Sequence, residues 1–302
     1  MADLDRDMIG YGRNPPHPQW PNGGRIAVNF MMNFEEGGEP SVQDGDGYSE
    51  TLLTELGVMS TGIKGRDLCA EDMFAYGTRV AIWRLMRLLA DRRIQVTING
   101  TALALERHPE AALALGEAGH DICGHGYRWL KQYDMSEEKE RDQIRKAIAS
   151  IARTVGERPY GWNCRYGPSL NTRRLLVEEG GFLYDCDSYD DELPYWTKVG
   201  GKPHLIVPYT HTTNDTKFGL GVFATGGDFF EFCRDAFDVL YREGATQPKM
   251  MSVGLHMRII GQPARIGGLE KFFDYIQSKP DVWIARRVDI ARHWRRVHPF
   301  SN

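Results

Sequence analysis

Short β-branched runs alternate with helical stripes along most of this chain. Eight runs read as strands: IAVNFMMNF (26–34), QVTING (95–100), DICGHG (121–126), PYGWNCR (159–165), FLYDCDS (182–188), HLIVPYT (204–210), MMSVGLHM (250–257) and VWIARR (282–287). Helix signals lie between them. In YGTRVAIWRLMRLLADRR, Ile82, Leu85, Met86 and Leu89 share one face and the arginines face away. In DMSEEKERDQIRKAIASIARTVG, Ile144, Ile148, Ile151 and Val155 recur at helical spacing. Asp134 or Ser136 stands ready as its cap, and acidic residues fill the first turn, where the helix dipole favours them. SLNTRRLLVEEGG stops in glycines, and PARIGGLEKFFDYIQSK opens on Pro263.

Seven or eight β–α units in succession predict a parallel sheet. For 302 residues the simplest closure is an α/β fold of the (β/α) barrel type, with a doubly wound open sheet as the alternative. The expected organisation is a single domain over 1–302 with an N-terminal arm, 1–25. Two connections are longer than scaffolding needs, 37–77 and 211–228. Loops of that length are commonly lids, binding loops or subunit contacts. Both follow strands, so both belong to the C-terminal rim, and the site is expected there.

Composition narrows the classes. With 41% hydrophobic and 26% charged residues, the chain can bury a core, and a net charge of −4 gives no basic stripe for nucleic acid. No run of 18 apolar residues offers a membrane span. The start, MADLDRDMIGYGRNPPHPQW, is acidic and broken by prolines, unlike a secretory signal. Five widely spaced cysteines without CxxC suit free thiols, and the two features together predict a cytoplasmic protein. HExxH, a Walker loop and GxGxxG are absent, and GPSLN (167–171) is a poor serine elbow.

Polar residues gather at the strand ends. The first strand runs into Asn33, Glu35 and Glu36; the third into His125; the fourth into Arg165; the fifth into Asp185 and Asp187; the sixth into His211; the seventh into His256 and Arg258. In a barrel these ends meet at one mouth. Each residue alone has a bland reading, as a solvated acid or a packed imidazole, but a shared buried cluster of charges needs a reason to exist. His120 and His204 precede their strands and read as structural.

At these residues the chain resembles the polysaccharide-deacetylase superfamily, carbohydrate esterase family 4, and within it the metal-independent allantoinase branch. The resemblance rests on DMIGYGRNPPHPQWPNGGRIAV, NFEEGGE, AYGTRVAIWRLMRLL, GHDICGHGYRW, NTRRLLVEEGGFLYDCDSYDDELPYW and GLHMRIIGQPARIGGLEKFFDYI, in order. It implies a deformed (β/α) barrel of about seven strands. Metal-using deacetylases carry two consecutive aspartates, one a base and one a ligand, and two ligand histidines four residues apart. Here the first pair aligns with Glu35 and Glu36, and the second with His125 and Trp129. Indole nitrogen donates only and cannot ligate a metal. Glu36 and His125 alone fall short of the three protein ligands of a catalytic zinc. His256 aligns with the family's general-acid histidine, and Arg165 with the arginine of its third motif.

The resemblance therefore implies hydrolysis of a carbon–nitrogen bond in a cyclic amide, such as allantoin or a related hydantoin or imide, without metal or cofactor. That chemistry belongs to purine catabolism. Glu35 or Glu36 would activate water, Arg165, His125 or the Trp129 N–H would stabilise the oxyanion, and His256 would protonate the leaving nitrogen. Asp187 is expected to hold His256 or an arginine. Asn33, Trp129, Trp162, Asp187, Trp196 and Arg258 are expected around the substrate, with Tyr189 a further aromatic candidate. The sequence departs from the branch around Asn163 to Ser169, at Gln262 and in the first rim loop. One rival is a metal-dependent N-deacetylase of amino sugars, with His211 as third ligand. A non-catalytic barrel is another. The arm and long loops predict a homo-oligomer, and the resemblance to a tetrameric branch implies four copies.

Overall fold

The computed structural model describes residues 6–56 and 62–301. The nine residues Ile26–Phe34 of β1 are buried on both faces and alternate strictly between two compartments. Ile26, Val28, Phe30, Met32 and Phe34 pack outward among Leu85, Leu89, Phe272 and Phe273, while Ala27 and Met31 join Cys123, Tyr184 and Leu205 inside the curl. Such two-sided burial marks a strand covered by helices on one side.

Around β1 the described residues form one sheet with β2 (Thr97–Gly100), β3 (Asp121–Gly124), β4 (Gly161–Trp162), β5 (Tyr184–Asp185), β6 (Tyr195–Val199), β7 (Lys202–Ile206), β8 (Lys249–His256) and β9 (Val282–Ile284). The order is β6-β7-β5-β4-β3-β2-β1-β8, with β9 beside the start of β1. Apart from β6, every pairing is parallel. The first strand thus lies between the second and the eighth, and the curled sheet is open between its end strands, the β6–β7 hairpin on one side and β8 on the other. There the stretch after β7 returns to pair Asn214 with Gly254. This is the deformed (β/α) barrel, not a doubly wound sheet.

The four expected helices form, as Ile82–Arg92, Glu137–Val155, Thr172–Glu179 and Pro263–Gln277. Ser136 rather than Asp134 caps the second, accepting from the Lys139 N–H. The first rim loop ends sooner than expected, because Asp67 caps a helix Leu68–Tyr76 within it. The second holds a single turn, Thr216–Gly219. The strand β6 escapes the hydrophobic pattern because its side chains are half-exposed. Its hairpin with β7 turns on Gly200 and Gly201, both at positive φ (54° and 78°), as a tight twisted turn requires. The ladders of β4 and β5 are shorter than their apolar runs because carboxylates take the next amides: Asp187 accepts from Cys164 N–H and Asp185 from Asp187 N–H.

Two tryptophans expected at the substrate lie elsewhere. Strand parity turns Gly161 and Asn163 inward, so Trp162 faces the helices, against Phe182, Leu175 and Leu176. Trp196 on β6 donates its N–H to the His298 carbonyl and packs on Phe300. The described part of the arm docks on its own barrel: Trp20 is buried against Trp283 and Trp294, and Tyr11 donates to the Pro194 carbonyl. Cys69 is exposed, and the other four cysteines are buried free thiols. No described helix is long and apolar enough to cross a membrane.

Because Trp162 is core, Trp162→Ala should cost about 3–5 kcal/mol of stability. Urea unfolding measures it, and a loss below about 1 kcal/mol would place the indole outside the core.

Candidate active site

Continuing the alternation of β1 past its end sends Asn33 and Glu35 inward and Glu36 to the opposite side. Register brings the partners: Asn33 lies beside Asn99 of β2 and His256 of β8. Asn99 donates to the side-chain oxygens of Asn33 (2.7 Å) and Asn163 (3.0 Å), and Asn33 donates to the Leu255 carbonyl (2.9 Å). A row of three asparagines thus ties four strands together beneath the mouth and leaves Asn33 little to offer a ligand.

Above that row sits Glu35, 1% exposed. Its Oε1 lies 3.5 Å from His125 Nε2 and 3.7 Å from His256 Nε2, and its Oε2 lies 2.9 Å from Arg258 Nη2. Neither Oε2 nor that Nη2 has a hydrogen-bond partner among the described residues, since the N–H directions miss the oxygen. Burial pushes the Glu35 carboxyl up, but Arg258 and His256 outweigh it and hold the group well below the usual carboxylate range.

Glu36 is occupied differently. Its Oε2 accepts from Glu35 N–H (3.0 Å), and its Oε1 from Arg258 Nη1 (3.1 Å) and Arg258 N–H (3.3 Å). A side chain at Gly77 would put its Cβ 2.5 Å from Oε1, so that glycine makes the room. Burial and the charge of Glu35 push the Glu36 carboxyl up against the pull of Arg258.

The protonation of His125 follows from its neighbours. Trp129 donates its indole N–H to His125 Nε2 at 3.1 Å. That nitrogen must present a lone pair, so the proton sits on Nδ1, which donates to the Asn163 carbonyl at 2.6 Å. His256 is held at its other nitrogen: Nδ1 stands 2.7 Å from Asp215 Oδ1, and Asp215 Oδ2 accepts the His256 N–H at 2.6 Å. Burial disfavours the charged ring, yet Asp215 and Glu35 overcome it and raise the His256 pKa.

The remaining expected residues divide. Arg258, taken for a substrate contact, is the cation on both glutamates, and its Nε also donates to the Leu53 carbonyl. Arg165, taken for an oxyanion donor, is committed elsewhere: to Glu50, to the Trp129 carbonyl, and to the Trp129 ring face, 3.8 Å from its centroid. Asp187 does not hold His256. It accepts from Asn163 Nδ2 (3.1 Å) and Cys164 N–H (2.9 Å), and burial with the neighbouring Asp185 raises it to about 7. Arg173 reaches the backbone carbonyl of Asp187, while its guanidinium pairs with the Asp185 carboxylate. Tyr189 and His211 stack on each other at 5.0 Å, with Tyr209 and Tyr166 edge-on to His211.

Three participants were not anticipated: Asp215, Asn99 and Glu50. The first rim loop is tied to strand ends by Arg165 on Glu50 and Arg258 on the Leu53 carbonyl, and to the helix Pro263–Gln277 by Arg265 on Glu55.

Residues 69–184 match the sequence profile of the family described as polysaccharide deacetylase. A Schizosaccharomyces pombe protein assigned by name to the polysaccharide deacetylases is 38% identical over 98% of this chain and 98% of its own length. The chain belongs to the polysaccharide deacetylase family. Its structure matches that of PuuE allantoinase with a TM-score of 0.95 at 50% identity, covering 99% of this chain and 100% of that one. A Pseudomonas aeruginosa PAO1 structure described as a polysaccharide deacetylase matches with 0.94 at 50% identity, over 98% and 100%. The protein is therefore a hydrolase of this family.

A divalent metal of the kind the family's deacetylases use would need donors at 36, 125 and 129. The residues present do not fit it. Glu36 is spent on Arg258 and a backbone amide, the His125 lone pair is filled by an N–H, and residue 129 is the donor that fills it. Among the described residues no three His, Cys, Asp or Glu side chains converge to hold an ion. His211, the third ligand of the rival reading, is stacked on Tyr189.

Since Asp215 holds the charge on His256, Asp215→Asn should lower the His256 pKa. NMR titration of the imidazole reads this directly, and an unmoved titration would mean that Asp215 only anchors the backbone.

Proposed function

We propose that this protein hydrolyses the carbon–nitrogen bond of a cyclic amide of the hydantoin or imide type, allantoin among them, with side chains alone. The observation that carries the reading is the Trp129 N–H seated on His125 Nε2, where a metal would otherwise bind. The likeness to a solved allantoinase at 50% identity supports the substrate class.

Water would sit against Glu35, whose Oε2 lacks a partner. Glu35 takes a proton as the water oxygen bonds to the carbonyl carbon. The oxyanion that forms is met by Arg258 Nη2, a buried donor that makes no hydrogen bond among the described residues, which takes the part expected of Arg165. His256, charged through Asp215, then gives its Nε2 proton to the ring nitrogen as the carbon–nitrogen bond breaks.

A carboxylate held this low is a weak base, and the charge on His256 is one cause of that. His256 Nε2 lies 3.7 Å from the same Oε1 that His125 approaches. When His256 surrenders its proton in the second step, one of the cations depressing Glu35 disappears, so Glu35 holds the proton already taken from water more firmly as the carbon–nitrogen bond breaks. In this scheme Glu36 holds Arg258 in place, and His125 stays neutral with its Nδ1 proton on the Asn163 carbonyl.

Glu35→Gln and His256→Ala should each lower turnover by about a hundredfold or more with folding retained. Assays on allantoin, hydantoin, succinimide and N-acetylglucosamine oligomers, with and without chelator, distinguish the readings. Ring opening indifferent to chelator supports this one. Deacetylation that chelator abolishes and zinc restores supports the metal-dependent rival. The rate should also fall at alkaline pH as His256 loses its proton, above the ordinary imidazole range because that pKa is raised. A fall below that range contradicts the acid role.

A further inference from the structure

At the end of the barrel opposite the mouth, where the strands begin, lies a cleft of about 190 Å³ that the chemistry above does not use. It is lined by His120 and Asp121 at the start of β3, by Arg158 and Tyr160 before β4, and by Arg286 and Arg292. The volume is several times the roughly 30 Å³ a water occupies in the liquid.

Its polar groups are incompletely paired. His120, 8% exposed, accepts the Val96 N–H at Nδ1, so its proton sits on Nε2, which has no partner among the described residues. Burial and Arg286 keep that ring neutral, with its pKa lowered to about 4. Asp121, 7% exposed, takes its hydrogen bonds from Thr97, Tyr184 and Val288 N–H on Oδ2 alone, leaving Oδ1 unpaired. Arg286 is committed to Asp289 and the Gly119 carbonyl. Arg292 lies over the Tyr160 ring and forms no ion pair among the described residues. Arg158 gives one nitrogen to the Gly180 carbonyl, and its buried Nε has no partner. Glu157 is the remaining acid in the lining.

A ligand that satisfies this set must accept from His120 Nε2–H, Arg158 and Arg292, and must also donate to Asp121 Oδ1. A fully deprotonated anion meets the first demand and violates the second. We propose that the cleft is a binding site for a hydrogen-bearing oxyanion of the phosphate class. Its P–O–H would donate to Asp121, and its other oxygens would accept from the imidazole and guanidinium groups. Sulfate, equal in shape but without a proton, would press a bare oxygen against the Asp121 carboxylate. Burial raises that carboxyl to about 6, so it is ionised in mildly alkaline solution. The negative element that excludes sulfate is therefore in place there.

The test titrates the full-length protein with inorganic phosphate and with sulfate in mildly alkaline buffer, by calorimetry and by NMR of nitrogen-labelled histidines. Phosphate should bind saturably at one site, shift the His120 resonances and leave those of His125 and His256 in place. Sulfate should bind at least about tenfold more weakly, the cost of one frustrated charged hydrogen bond. Arg292→Ala, an exposed and unpaired position, should weaken phosphate by about tenfold or more, and Arg158→Gln should act in the same direction. Equal affinity for the two anions, binding that shifts the catalytic histidines but not His120, or phosphate affinity unchanged in both variants would overturn the proposal. So would an absence of saturable phosphate binding.

Discussion

Two adjacent carboxylates are buried to within 2% of full enclosure and share one arginine. That sharing is the constraint on which the rest of the mouth depends. Removing a carboxylate from water costs several kcal/mol even after relaxation, and two side by side repel as well. Arg258 offsets both only because β8 lies directly beside β1, so that the residue two places beyond His256 falls over Glu35 and Glu36 together. Its guanidinium is spread over the Phe74 ring at 4.2 Å and is fixed at Nε by the Leu53 carbonyl, so no bulk water competes for it. Removing Arg258 would leave Glu36 without a cation and Glu35 facing His256 alone in the core, a far larger fault than losing a surface ion pair.

The shared cation also divides the labour between two residues that look equivalent in sequence. Strand alternation sends consecutive glutamates to opposite sides, and every oxygen of Glu36 is satisfied by Arg258 or by backbone. Glu35 keeps Oε2, beside the arginine, without a hydrogen bond among the described residues, and turns Oε1 toward the two histidines. The distinction arises in packing: Gly77 makes room for one carboxylate, and two imidazoles meet the other.

Much of this was legible beforehand, and the failures have physical causes. The strand β1, the order of β–α units and the convergence of Glu35, His125, His256 and Arg258 follow from apolar runs and from where each run turns polar. Trp162 misled because an aromatic one position from a strand end lies on either face, and only parity counted from Asn163 decides which. Trp196 misled because an antiparallel edge hairpin, half-exposed, leaves no buried pattern to anchor it. Asp215 was invisible as a partner of His256: it sits in the polar stretch HTTND, and only the return of that stretch to Gly254 of β8 puts the carboxylate beneath the imidazole. Glu50 lies in a rim loop whose path is set by arginines distant in sequence, Arg165 after β4 and Arg265 in the helix Pro263–Gln277. Contacts of that separation have no local signature.

Trp129 unites these observations. An imidazole at that position would compete for the same charges as His125 and would open the site to a cation. The indole instead gives its one donor to His125, turns its face to the Arg165 guanidinium at 3.8 Å, and offers its carbonyl to the same arginine. Arg165 in turn grips Glu50, so the residue that fixes the tautomer of His125 also anchors the rim loop. The loop's second tie, Leu53 on Arg258, runs through the cation of the two glutamates. Loop position, imidazole protonation and carboxylate charge are therefore linked through two arginines and one indole, and a substitution at residue 129 disturbs all three together.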